Sequence, residues 1–182
     1  SEAQNIGAPL NDAHANGVCS VTPDGRTLLL LNSYSGHDEV GPGVSVSRRT
    51  TAGWSAPERL EITDYRNQSK FQDYFLSADE EVLLMAVERP GGLGEQDLYV
   101  SVRSGFRSYS TPVNLGTDIN TPQADFAPFL APDNATLYFA SEGHTGFGQS
   151  DIYRTRRLDE GWKHWSAPEN MGPMINTPSW EG

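Results

Sequence analysis

Short apolar runs recur along the chain at near-constant spacing: Thr27-Leu28-Leu29-Leu30-Leu31, Val82-Leu83-Leu84-Met85-Ala86 and Thr136-Leu137-Tyr138-Phe139-Ala140. Each is too short for a helix and β-compatible in composition, which predicts buried inner strands. A turn precedes each run: Pro23-Asp24-Gly25, Ala78-Asp79-Glu80 and Pro132-Asp133-Asn134, with the aspartates 55 and 54 residues apart. Downstream, Asp97-Leu98-Tyr99-Val100 and Asp151-Ile152-Tyr153-Arg154 alternate as a half-buried third strand does, and Gly43-Val44-Ser45-Val46 is a degenerate version. Trp54-Ser55-Ala56-Pro57, Tyr109-Ser110-Thr111-Pro112 and Trp165-Ser166-Ala167-Pro168 place a proline where an outermost fourth strand tolerates it. A closing Asn-x-Gly follows at Asn114-Leu115-Gly116 and Asn170-Met171-Gly172 and opens the chain at Asn5-Ile6-Gly7, with a further asparagine four residues past each glycine: Asn11, Asn120 and Asn176. The middle junction lacks it and offers only Asn67 nearby.

A period near 55 residues is the length of one blade of a propeller array. With 18 Gly, 12 Pro and no sustained 3.6-residue apolar period, the fold class expected is all-β: a β-propeller built from about three four-stranded blades in a single domain, 1–182. The repeats fall at about 5–60, 61–116 and 117–172, with the start of a further repeat at 173–182. Propellers close with roughly four to eight blades, so three fall short of a ring. Residues 173–182 have the phase of residues 8–17. Three completions stay open: an excerpt of a longer protein, a homodimer completing a six-bladed ring, or an open array. Two open blade faces would expose more apolar surface than a soluble monomer usually shows, which favours association.

A formal net charge of −11 repels phosphate backbones and anionic lipid, arguing against nucleic acid and against membrane binding by charge. The lone Cys19 permits no intramolecular disulfide and no paired-cysteine metal motif, and is expected in a buried strand. No run of eighteen apolar residues and no basic-then-apolar leader is present, so direct membrane insertion is not expected; a removed signal peptide would leave the same pattern.

The string Asn120-Thr121-Pro122, Ala131-Pro132-Asp133, Leu137 to Ser141, Gly143-His144, Gly146, Gly148, Asp151-Ile152-Tyr153, Trp165 to Pro168 and Asn170-Met171-Gly172 resembles the WD40-like periplasmic β-propeller repeat, found in TolB-like propellers and in outer-membrane-associated proteins that carry OmpA-like domains. The third copy matches nearly throughout, the first two mainly at the turn, the apolar run and the Ser-Ala-Pro or Ser-Thr-Pro element. The resemblance implies a bacterial protein of the periplasm, outer membrane or extracellular face, a repeat protein of the cell envelope that acts by binding protein, peptide or glycan without a cofactor. The first copy departs by its longer Ser33–Gly43 loop and missing Asp-Ile-Tyr, the second by Gly91-Gly92 in place of Gly-His.

In a four-stranded antiparallel unit the loop between the second and third strands and the connection to the next unit emerge on one rim. That rim collects the candidate ligand-binding residues His37, His144, Asn120, Asp125, Phe147, Asn11 and Asn16, with His14, Gln123, Asn176 and Glu181 beside them. Phe147, Tyr34 and Trp180 offer aromatic surface for a sugar or peptide. The bland alternative is that the recurring asparagines are turn formers bonding their own backbone. A metal held by His14, His37 and His144 requires imidazoles from alternate copies to converge to about 2.1 Å, so no metal is expected. The Gly-rich loops at 91–94 and 143–148 open no helix, lack the phosphate-cradle mechanism, and read as turn glycines. Asn67-Gln68-Ser69 and Asn134-Ala135-Thr136 fit the glycosylation pattern and are given no role. No nucleophile elbow or zinc helix is present; the enzymatic alternative is a carbohydrate-active propeller, a glycoside hydrolase or lyase using carboxylates such as Asp125 and Glu181. A third alternative is a structural assembly element.

Overall fold

A computed structural model describes residues 5–11, 17–35 and 38–182 of the chain. They form strands and loops only, with no helix among the described residues. The strands are β1 (Val18–Val21), β2 (Thr27–Ser35), β3 (Asp38–Thr50), β4 (Gly53–Trp54), β5 (Glu58–Arg59), β6 (Glu61–Ile62), β7 (Asp73–Leu76), β8 (Val82–Val87), β9 (Asp97–Gly105), β10 (Ser108–Tyr109), β11 (Val113–Asn114), β12 (Asp125–Leu130), β13 (Thr136–Ser141), β14 (Asp151–Arg156) and β15 (Glu169–Asn170).

Three sheets result, of five, six and four strands. Each includes an antiparallel series in chain order, β1-β2-β3-β5, β7-β8-β9-β11 and β12-β13-β14-β15, and the short β4 and β10 add to the first two by pairing with β3 and β9. The short β6 adds to the second sheet by pairing parallel with β10. All-β class is therefore observed. Each apolar run is the second strand of its sheet, because another strand, β1, β7 or β12, precedes every turn. The Ser-x-Pro elements lie just outside the outermost strands. Pro57, Pro112 and Pro168 have no N–H to donate, and ladder pairing resumes only at Glu58, Val113 and Glu169.

The turns are built alike. Thr22 and Ser77 donate through their hydroxyls to Asp24 and Asp79 at 2.6 and 2.5 Å, and accept from the N–H of Thr27 and Val82. Asp24, Asp79 and Asp133 accept from the N–H two residues ahead. The intervening residue is left-handed every time: Gly25 (φ 67°), Glu80 (φ 58°) and Asn134 (φ 53°).

Alternation along β8 explains how the sheets stack. Leu83, Met85 and Val87 pack on the first sheet with Leu29, Val44, Val46 and Leu60. Val82, Leu84 and Ala86 face the third sheet, joining Leu98, Val100, Leu115, Ile119, Leu137 and Phe139. Both faces of the middle sheet are thus buried. Leu28 and Leu30 on the far side of the first sheet cluster, among the described residues, with Leu10 and Trp54.

Candidate functional site

The connections between sheets end in asparagine clasps. Asn114 Oδ1 accepts from Gly116 N at 2.8 Å and from Asn120 Nδ2 at 2.9 Å. Asn120 also grips the start of β9, accepting from Leu98 N at 2.7 Å and donating to Leu98 O at 3.0 Å. Asn170 and Asn176 repeat this on Ile152 of β14, with bonds of 2.8 to 3.0 Å. Asn120 and Asn176 are buried and their side chains bond strands 22 and 24 residues away, not the backbone of their own turns.

The third strands open on aspartates that organise the loops before them. Asp97 Oδ2 accepts from Leu93 N (2.6 Å) and Asn114 Nδ2 (3.0 Å); Asp151 Oδ2 accepts from Phe147 N (2.5 Å) and Asn170 Nδ2 (3.2 Å). A Cβ on Gly92 would fall 2.6 Å from Asp97 Oδ2, and one on Gly146 only 1.4 Å from Asp151 Oδ2. Gly146 is therefore required by close approach to a carboxylate, and it carries no positive φ. Asp97 and Asp151 escaped the sequence reading as functional positions, although the shared spacing Gly-x-Gly-x-x-Asp-[Leu/Ile]-Tyr carried the signal.

Asp125 is fully buried at the start of β12, in register with Ser141 and Asp151. Its Oδ2 accepts from Thr121 N (2.6 Å) and Thr121 Oγ1 (3.0 Å), while Oδ1 has no hydrogen-bond partner among the described residues. Burial pushes its pKa up to about 6, against the lowering effect of its hydrogen bonds and of nearby His144. His144 points inward: its Nε2 lies 2.8 Å from Ile119 O and its ring packs on Phe139 and Tyr153. Tyr34 is buried, so it adds no aromatic surface, whereas Phe147 and Trp180 are exposed. Asn11 bonds Asn5 at 2.8 Å. His14, Asn16 and His37 lie outside the described residues.

Glu181 takes the place of Asp125 one repeat on, its N–H directed at Ser150 O where that of Asp125 meets Gln96 O. Trp180 bridges Ser150 just before β14, and Gly182 lies against Phe126 of β12 and Ala140 of β13.

An open groove of about 570 Å³ runs between the first strands of the three sheets, lined by Val18, Cys19, Leu31, Asp73, Phe75 and Phe129 among others. Among the described residues, β1, β7 and β12 each pair on one side only, with β2, β8 and β13. Side chains bridge their free edges: Ser20 Oγ accepts from Leu76 N at 3.3 Å, and Asp73 Oδ2 from Ala127 N at 3.3 Å. Burial raises the Asp73 carboxyl, and burial foremost, with Asp73 adding, pushes the Cys19 thiol up to about 12. Cys19 is thus a neutral, half-buried strand residue, not an activated nucleophile. The sequence reading did not find this groove, because its residues come from three short strands with no shared motif.

Among the described residues, no group of three or more His, Cys, Asp and Glu is arranged to hold a metal ion. No described helix is long and apolar enough to cross a membrane. Compared with known proteins, the chain matches no family model, no curated protein and no solved structure.

Proposed function

We propose that the chain is a β-propeller-type binding and scaffold module, non-catalytic, that recognises a protein or peptide in its central groove, with Phe147 and Trp180 as flanking contacts on the rim. The observation that carries this reading is the groove itself: three strand edges unpaired on their inner side, apolar walls and one carboxylate, Asp73. Edge backbone groups capture extended peptide by added main-chain bonds, and apolar walls select its side chains. Asn120, Asn176 and His144 are spent on internal bonds, which moves the reading from the rim inward. The three sheets stacked face to face at the repeat spacing support the propeller assignment, and the residue resemblance supports a place in the bacterial envelope.

Selection of a random peptide library on the whole chain, with a glycan array in parallel, tests this. Selected peptides are expected to lose about 10- to 100-fold in affinity with Phe129→Ala or Asp73→Ala, the range for a central interface residue. Ligands that ignore both substitutions, or glycans bound through Phe147 and Trp180 alone, would overturn the groove assignment.

A further inference from the structure

The segment 5–11 is folded like the two completed clasps. Asn5 Oδ1 accepts from Gly7 N at 2.7 Å and from Asn11 Nδ2 at 2.8 Å, as Asn114 and Asn170 do in theirs. The N–H groups of Leu10 and Asn11 both reach Gly7 O, as those of Ile119 and Asn120 reach Gly116 O. The strand-gripping half is unmade. Asn120 holds Leu98 and Asn176 holds Ile152, but among the described residues Asn11 bonds Asn5 alone and no aspartate meets Asn5 Nδ2.

A small recess of about 70 Å³ adjoins this half-clasp, its walls including Ile6, Leu10, Asn11, Leu28 and Leu30. Counting from Gly7 and Asp24, Leu10, Leu28 and Leu30 hold the positions that Ile119, Leu137 and Phe139 hold from Gly116 and Asp133. Those three residues share one buried cluster with Leu98, the residue gripped by Asn120. The recess thus occupies the place where a leucine side chain seats in the completed interface.

We propose that the half-clasp and recess bind the start of an Asp-Leu-Tyr or Asp-Ile-Tyr strand from a further repeat unit of this kind. The leucine or isoleucine side chain fills the recess, its N–H and carbonyl pair with Asn11, and the aspartate accepts from Asn5 Nδ2. A second copy of this chain does not serve. Its Leu98 and Ile152 are already gripped by its own Asn120 and Asn176, and its equivalent Val44, preceded by glycine in place of aspartate, is buried under the middle sheet. This site adjoins the central groove, Gly17 and Val18 bordering both, but does not depend on the peptide-binding reading.

The test is fluorescence anisotropy with a labelled nonapeptide of the sequence of residues 96–104, titrated with the whole chain, with light scattering on the chain alone. Saturable binding is expected, weakened at least tenfold by Asn11→Ala in the chain and by Asp97→Ala or Leu98→Ala in the peptide. Asn11→Ala keeps the wild-type melting curve, because Asn11 anchors only the terminal loop. Absence of saturable binding at millimolar concentrations, equal binding by Asn11→Ala, or equal binding of a scrambled peptide would overturn the proposal. So would a dimer of the wild-type chain that Asn11→Ala dissociates, since the occupant would then be a second copy.

Discussion

At the residue scale, the tightest constraints are the points where backbone passes over a buried carboxylate. Gly146 lies against Asp151 so closely that an added methyl cannot be placed without moving the loop, and Tyr153 Oη stands 2.8 Å from the same Cβ position. Gly146→Ala is therefore expected to cost about 2–3 kcal/mol, the range of core overpacking, with a smaller cost for Gly92→Ala. Gly161→Ala, where the added atom meets Asp159 at an ordinary 3.7 Å, should change little. Thermal melts of the three variants check the order. Asp125 makes a second prediction, in pH. Its pKa is raised in the native state from 3.8 to about 6 because burial penalises the charged form. The native state therefore binds the proton more tightly than the unfolded chain, so stability is full below about 3.8 and declines as pH rises through about 6. Two units correspond to at most about 3 kcal/mol. Asp125→Asn keeps an oxygen for Thr121 and cannot ionise, so the difference between variant and wild type in urea unfolding should grow in the variant's favour from pH 4 to pH 7.5. A constant difference across that range would reject the assignment.

At the element scale, the turns also tie one sheet to the next. Glu80 reaches from the β7–β8 turn to the first sheet: Arg48 donates to it at 2.6 and 2.8 Å, Thr27 at 2.9 Å, and Arg103 of its own sheet at 2.9 Å. A left-handed glutamate costs about 1–2 kcal/mol of backbone energy, which this clamp offsets. The arginines hold its pKa down to about 2 from an ordinary 4.5. Its stabilisation is thus present above about 4.5 and lost as pH falls through about 2, the opposite sign to Asp125. Glu80→Gln should cost about 1.5–3 kcal/mol at pH 7, the range for charged hydrogen bonds, and clearly less at pH 2, where half of the carboxylates are protonated; chemical denaturation at the two pH values reads it. Much of this level was legible in the sequence. The Asp turns and apolar runs announced β2, β8 and β13, and the Asp-[Leu/Ile]-Tyr motifs announced β9 and β14. The innermost strands were not legible: Val18–Val21 and Asp73–Leu76 are four residues each and half exposed to the groove, so they lack a full buried period. The proline elements were placed one step too early, because proline marks a strand boundary without joining the ladder. The clasps were seen as a recurrence of asparagines, but which atoms they grip depends on residues 22 and 24 positions away.

At the scale of the whole molecule, the two outer faces differ in kind. Positions filled by Leu29 and Val46 in the first sheet, and by Leu84 and Val100 in the second, are taken by Tyr138 and Arg154 in the third. Arg154 pairs with Glu169 at 2.5 Å and Arg156 with Asp133 at 3.3 Å, all four side chains partly in solvent. The first sheet instead carries the buried Leu28 and Leu30 beside the small recess. A homodimeric ring would press these two faces together, stripping water from two ion pairs to set them against leucines, at a cost of several kcal/mol per ion. It would also require two connectors, residues 5–11 of one copy and 170–176 of the other, to occupy one position, since both are folded to grip the same kind of strand start. A net charge of −11 on each copy opposes the encounter further. The wild-type chain is accordingly expected to run at 19.9 kDa in light scattering across a concentration series. Removing the charges with Arg154→Leu and Arg156→Leu together should make the third sheet's outer face adhesive and bring on concentration-dependent association. A wild-type dimer of twice that mass, unaffected by added salt, would mean that the connectors rearrange to share the junction, and the ring would then close through two chains.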